Sequence, residues 1–131
     1  EAVAQLDTHV AVWLWAGDRR RLAPIRRWID SAELLVSPIV ELELQCLHEV
    51  GRLSQGGAEI MRDLVGTIGV RLVEASLADI VAHALSLTWT RDPFDRLIVA
   101  SALSQGHALI TRDEHLLAHC RNARWGAKRN R

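Results

Sequence analysis

The chain has 131 residues, 49% hydrophobic and 24% charged, and its 16 basic side chains are balanced by 16 acidic ones. That length suits one domain with its own core and is too short for two, so residues 1–131 are expected to form a single domain. The composition excludes a disordered or collagen-like polymer, and the absence of net charge excludes a generic nucleic-acid coat.

No apolar run approaches the ~20 residues of a membrane span, and no basic-then-apolar leader opens the sequence, so a cytoplasmic protein without a membrane partner is expected. The first residue is Glu1 rather than Met, so the start is not taken as native. Cys46 and Cys120 stand far apart, form no Cys-x-x-Cys pair and read as reduced core thiols. No zinc site is expected from them or from the six histidines.

In chain order, a strand over 3–6 leads to Asp7, and a helix over 10–15 stops near Gly17. Residues 21–30 read as a second helix, and 34–36 as a strand ending at Ser37-Pro38. Pro38 suits the first turn of a helix, which runs to Val50 before Gly51. A helix over 58–65 and a strand over 70–73 follow. Ser76 caps a helix over 77–87, whose Ile80, Val81, Ala84 and Leu85 read as a core stripe. Asp92-Pro93 opens a helix to Ser104 closed by Gly106. A strand over 107–111, a helix over 113–119 and an edge strand over 123–125 complete the list, with a flexible tail over 126–131. Strand–helix alternation indicates an α/β fold with a mostly parallel sheet covered by helices, and sites in such folds lie at the carboxyl ends of the strands. Asp7 and Asp113 both follow strands, which places two acids on one sheet edge.

On the helix opened by Pro38, Leu42, Cys46 and Val50 fall within about 60° of Ile39 and are expected inside; Glu43 falls about 40° from Ile39 within the same apolar arc, while Glu41 falls on the polar side. A buried carboxylate requires a cation, either an arginine or a metal ion. Asp92, Asp95, Asp7 and Asp113 each stand at a helix start and each fits a simple capping role. Asp92 is read as the cap of its helix and Asp95 as looking into a cleft beside Ala102. Taken together, several oxygen-bearing side chains converging on one edge repel one another unless a hard cation such as Mg²⁺ or Mn²⁺ neutralises them. The chemistry of such a site is metal-assisted hydrolysis, with a phosphodiester as the substrate that requires cations.

The residues Leu6-Asp7-Thr8-His9, Ser37-Pro38-Ile39-Val40-Glu41-Leu42-Glu43-Leu44, Arg91-Asp92-Pro93-Phe94-Asp95-Arg96 and Thr111-Arg112-Asp113, in that order over nearly the whole chain, resemble the PIN-domain ribonucleases, and most closely the VapC toxins of toxin–antitoxin pairs. Gln5 stands where that family usually carries an apolar residue. The resemblance implies a short parallel sheet between helices and a Mg²⁺-dependent endoribonuclease, with Mn²⁺ as the alternative ion, acting on tRNA or rRNA. It implies Asp7, Glu43, Asp95 and Asp113 as metal-binding catalytic acids and Thr111 as a supporting hydroxyl. Arg112 is a candidate phosphate contact, and Asp92 is either a support of the site or only a cap. A VapB-type antitoxin covering the acidic cleft and a homodimer are the implied partners.

Two rivals remain. An aspartyl-phosphatase chemistry requires a lysine beside its nucleophile, and the only lysine is Lys128 in the tail. A catalytically inactive PIN-like binding or scaffold module would reduce the acids to caps. Trp13 and Trp15 lie two apart on one helix and cannot both face inward, so one is expected at the surface, either packed or open to a base or a partner. The arginines at 19–27 and 121–131 read as solvated surface.

Overall fold

The computed structural model describes residues 2–126. Strand β1 (Val3–Leu6) is at the centre of a five-stranded sheet in the order β3-β2-β1-β4-β5, formed with β2 (Glu33–Val36), β3 (Arg71–Leu72), β4 (Ala108–Ile110) and β5 (Ala123–Arg124). Every pairing is parallel. Helices flank the sheet in three layers, as expected for strands joined by helical crossovers. The order reverses at β1, whose two neighbours β2 and β4 are reached by crossovers in opposite directions, and that gap is where an open parallel sheet forms a crevice. In register, Ala4 lies beside both Leu34 and Ala108, and Leu6 lies beside Ile110. Asp7 and Thr111 therefore leave adjacent strands at the same level, and the N–H of Asp7 donates to the Ile110 carbonyl at 3.0 Å.

The core gathers Leu6, Val10, Val36, Leu44, Ile60, Ile98, Leu109 and Leu116, all fully buried. Gln5 is buried among them at 1% exposure. Its amide nitrogen donates to the Ser101 carbonyl at 3.2 Å and to Nδ1 of His107 at 3.1 Å, while its oxygen accepts from the Ser101 hydroxyl at 2.7 Å. Both ends of the amide in the central strand thus have partners, which a buried amide requires. The departure from an apolar residue at this position is matched by a polar partner on the facing helix.

Several element boundaries differ from expectation for local reasons. The helix expected over 21–30 is three pieces: α2 (Arg19–Leu22), a 3₁₀ turn (Ala23–Ile25) and α3 (Arg26–Ser31). Pro24 lacks the N–H that a continuous α-helix would use, so the chain tightens there. The helix over 58–65 is α5 (Gly57–Asp63) continued by a π-turn (Leu64–Ile68) that stops at left-handed Gly69. α6 (Leu77–Ala84) ends earlier than expected, and only the inner half of its stripe is core: Ile80 and Ala84 are buried, whereas Leu77, Val81 and Leu85 are exposed. On α4 (Pro38–Glu49) the buried line runs through Val40 and Leu44, while Leu42 and Val50, expected inside, are exposed. The cause is α5, which crosses α4 so closely that a Cβ on Gly57 would stand 2.3 Å from the Glu41 carbonyl oxygen. That contact covers the Glu41 and Gln45 side of α4 and leaves Leu42 outside. Of the expected tail, only Gly126 falls among the described residues.

Candidate active site

A cleft of about 410 Å³ opens at the carboxyl ends of β1 and β4, and its lining includes Asp7, Glu43, Asp92, Asp95 and Asp113. Each acid arrives from a different local structure. Asp7 caps α1 (Thr8–Ala16), its Oδ1 accepting the Thr8 N–H at 2.8 Å. Its Oδ2 accepts the Thr111 hydroxyl at 2.7 Å, and that same hydroxyl accepts the Asp113 N–H at 3.0 Å. Thr111, fully buried, therefore ties the ends of two strands and two acids together.

Asp113 caps α8 (Glu114–His119) through Oδ1, which accepts the His115 N–H at 2.8 Å and the Leu116 N–H at 3.3 Å. Asp92 caps α7 (Pro93–Gln105) through Oδ1, accepting the Phe94 N–H at 2.9 Å and the Asp95 N–H at 3.4 Å. The capping and site readings thus coexist for Asp92 and Asp113: one oxygen serves the helix N-terminus, and the residue still lines the cleft. Asp95, in the first turn of α7, receives no side-chain hydrogen bond from a described residue. Glu43 accepts the Thr8 hydroxyl at 2.5 Å and forms no ion pair with any described arginine, so an arginine is not what balances its charge.

The electrostatics follow from this crowding. Burial, and then the neighbouring charges of Asp92, Asp7, Asp113 and Glu43, push Asp95 up to about 7. Burial likewise raises Glu43, opposed by the Thr8 hydrogen bond and reinforced by Asp7 and Asp92. Cys120, buried near these acids, is pushed up to about 12 by burial and then by Asp95, Asp113 and Asp7, so it stays a neutral thiol.

Three contributors were not singled out from the sequence. Thr8 holds Glu43, although it stood in plain view beside Asp7. His9 accepts the Arg112 N–H through Nε2 at 3.0 Å and turns Nδ1 toward Asp7 Oδ2 at 3.5 Å. Arg52, in the turn after α4, reaches the cleft with no sequence signal at all. Trp13 lines the same cleft half-buried, while Trp15, also half-buried, donates its indole N–H to Asp63 at the surface at 2.9 Å. His115 and His119 share one face of α8 at four-residue spacing, where their rings pack on each other and on Trp89.

Among the described residues no three His, Cys, Asp or Glu side chains stand ready-arranged around one metal position. The chemistry of the donors nevertheless fits a hard divalent cation. The acids offer only carboxylate oxygens, the nitrogens of His9 are engaged elsewhere, and several like charges crowd one cleft.

A parallel α/β fold with a carboxylate cleft at its switch point defines the class, and the comparisons specify the family. The chain belongs to the PIN-domain family, whose model matches residues 4–122. Ribonuclease VapC22 of Mycobacterium tuberculosis is 34% identical over 121 residues, spanning 87% of this chain and 89% of that protein. The fold is shared with VapBC2 from Rickettsia felis, solved bound to a DNA fragment from its promoter, at a TM-score of 0.70, 15% identity and coverage of 94% and 98% of the two chains. A toxin–antitoxin complex from Klebsiella pneumoniae matches at a TM-score of 0.67 and 19% identity, over 92% of this chain and 95% of that one. The resemblance to VapC toxins carried by the four sequence motifs is borne out by these relatives. No described helix is long and apolar enough to cross a membrane.

Proposed function

We propose that this chain is a divalent-metal-dependent endoribonuclease and the toxin of a VapBC-type pair, acting in the cytoplasm of a bacterium. The observation that carries the reading is the set of carboxylates from separate elements around one cleft, with Asp95 pushed up to about 7 by burial and then by the carboxylates beside it. Asp7, Glu43, Asp95 and Asp113 would hold the ion, Mg²⁺ or alternatively Mn²⁺. Such an ion supplies a more acidic bound water and charge neutralisation at the phosphate. Thr111 orients Asp7 and Asp113, Thr8 orients Glu43, and Asp92 keeps the first turn of α7 in place beneath Asp95. Arg112, exposed beside Asp113, would contact a substrate phosphate. The substrate is RNA, with tRNA or rRNA as the targets whose cleavage stops translation.

A VapB-type antitoxin is the proposed partner, by analogy with the toxin–antitoxin complexes of the same fold. A homodimer belongs to the same reading. Leu77, Val81 and Leu85 form an exposed aliphatic ridge along α6, suited to the same ridge on a second copy.

The test is cleavage of a mixed tRNA and rRNA pool by antitoxin-free protein with Mg²⁺, with Mn²⁺ and with EDTA, alongside Asp95→Asn. Endonucleolytic products that vanish in EDTA and in the variant support the reading. No cleavage, together with no Mn²⁺ binding by calorimetry, supports the inactive scaffold instead.

A further inference from the structure

Beside the carboxylate cleft lies a second depression, of about 540 Å³, lined by Asp18, Arg20, Arg21, Pro24, Arg112 and Trp125. Its charge is opposite to that of the cleft: three guanidinium groups face one carboxylate. Arg21 is held in place, pairing with Asp18 at 2.9 Å and lying 5.7 Å from the centroid of the Trp13 ring. Arg20 and Arg112 form no ion pair with any described residue, so their charges are uncommitted.

The two depressions share a wall. His9 and Trp13 line the acid cleft, and their rings meet edge-on at 5.1 Å. Trp13 in turn meets Trp125 edge-on at 6.0 Å, and Trp125 lines the basic depression. The backbone N–H of Arg112 is bonded to His9, and Arg112 directly precedes Asp113. A continuous His–Trp–Trp ridge therefore runs from the acids to the arginines.

We propose that this depression is a nucleotide subsite for single-stranded RNA, taking the phosphate next to the scissile one on Arg20 and Arg112 and the unpaired base of that nucleotide against the indole of Trp125. The proposal rests on the ribonuclease reading above. A polyanion drawn to arginines beside an acidic centre keeps its neighbouring charges out of the carboxylate field. An indole beside uncommitted guanidinium groups suits a flat base next to a phosphate, the pairing used on single strands, whereas an acidic peptide would use the arginines and leave the indole idle. A base stacked in a duplex is not free to reach Trp125, so the subsite selects looped or single-stranded segments. Arg21, paired with Asp18 and beside Trp13, lines the pocket without being counted among its uncommitted charges.

The experiment is fluorescence anisotropy of a short labelled single-stranded RNA of mixed sequence, titrated with the full antitoxin-free chain in EDTA so that cleavage does not enter. Arg20→Ala with Arg112→Ala is expected to weaken binding about tenfold or more. The same pair is expected to flatten the salt dependence by roughly 0.7 in log–log slope for each phosphate no longer neutralised. Trp125→Leu is expected to weaken binding about fivefold or more. Arg27→Ala, in a different depression with Ala2, Trp28 and Ser31, is the control and is expected to bind as the unmodified chain does. Unchanged affinity and salt slope in the double arginine variant overturn the proposal. So does a double variant that binds RNA normally but has reduced affinity for the antitoxin, because the depression is then a protein-binding surface. The nuclease reading fails separately: if the unmodified chain binds RNA through these arginines yet cleaves nothing with Mg²⁺ or Mn²⁺, the subsite stands and the catalytic assignment falls.

Discussion

At the first turn of α7, Asp95 holds its proton up to about pH 7 in the folded chain, against a reference value of 3.8, because it is half-buried among four other carboxylates. Between those two values the folded state binds a proton that the unfolded state has already released. Raising the pH through that window therefore favours unfolding. In metal-free buffer the melting temperature is expected to fall between pH 5 and pH 7.5, and Asp95→Asn is expected to flatten that fall and to be the more stable protein at pH 7.5. Thermal melts of both proteins across that range check it, and parallel curves would contradict it.

A second residue-scale case is Gln5. Ser101→Ala removes the hydroxyl donated to the buried Gln5 oxygen and is expected to cost about 1–3 kcal/mol in urea unfolding. Asp7, Glu43, Asp92, Asp95 and Asp113 are legible in the sequence as acids at helix starts or on an inner helix face, whereas Thr111 and Arg112 become candidates only through the resemblance to the family's motif. Arg52 is legible in neither way, because a turn arginine carries no period and no cap signature.

Among elements, the α4–α5 crossing bears on the cleft wall, because α4 carries Glu43. It depends on Gly57, where an added methyl group would meet the Glu41 carbonyl oxygen at 2.3 Å. Gly57→Ala is expected to push the helices apart and destabilise the protein by about 1–3 kcal/mol, measured by denaturant midpoint. The helix-wheel reading placed Glu43 correctly on the inner side yet put Leu42 and Val50 there too. A wheel gives relative angles along one helix. It does not show how many neighbours that helix has, and α4 packs against α1, α5 and α7.

For the whole molecule, an ion that binds the folded acids and not the unfolded chain must stabilise it by mass action. At a concentration about a hundred times its dissociation constant, Mn²⁺ is expected to raise stability by about 2.7 kcal/mol and the melting temperature on the order of 10 °C. The increment is expected to be larger at pH 7.5 than at pH 5, because protons compete for Asp95, and to be absent in EDTA. The proposed dimer is tested at the same scale: Leu85→Glu on the exposed ridge of α6 is expected to shift the mass seen by light scattering from dimer to monomer.

By itself the amino-acid sequence determined the strand–helix alternation, the capping acids and the order of the four motifs. All are local features, set by hydrophobic period, by proline and glycine, and by short polar side chains at helix starts. Strand order, the joining of Asp7 to Asp113 through Thr111, the burial of Gln5 against Ser101, and the ridge from His9 through Trp13 to Trp125 were decided only by the tertiary structure. Most of these join residues about a hundred positions apart, and no local pattern encodes which distant side chain will arrive opposite. The sheet register makes that choice when β4 pairs with β1 and brings the ends of the two strands level.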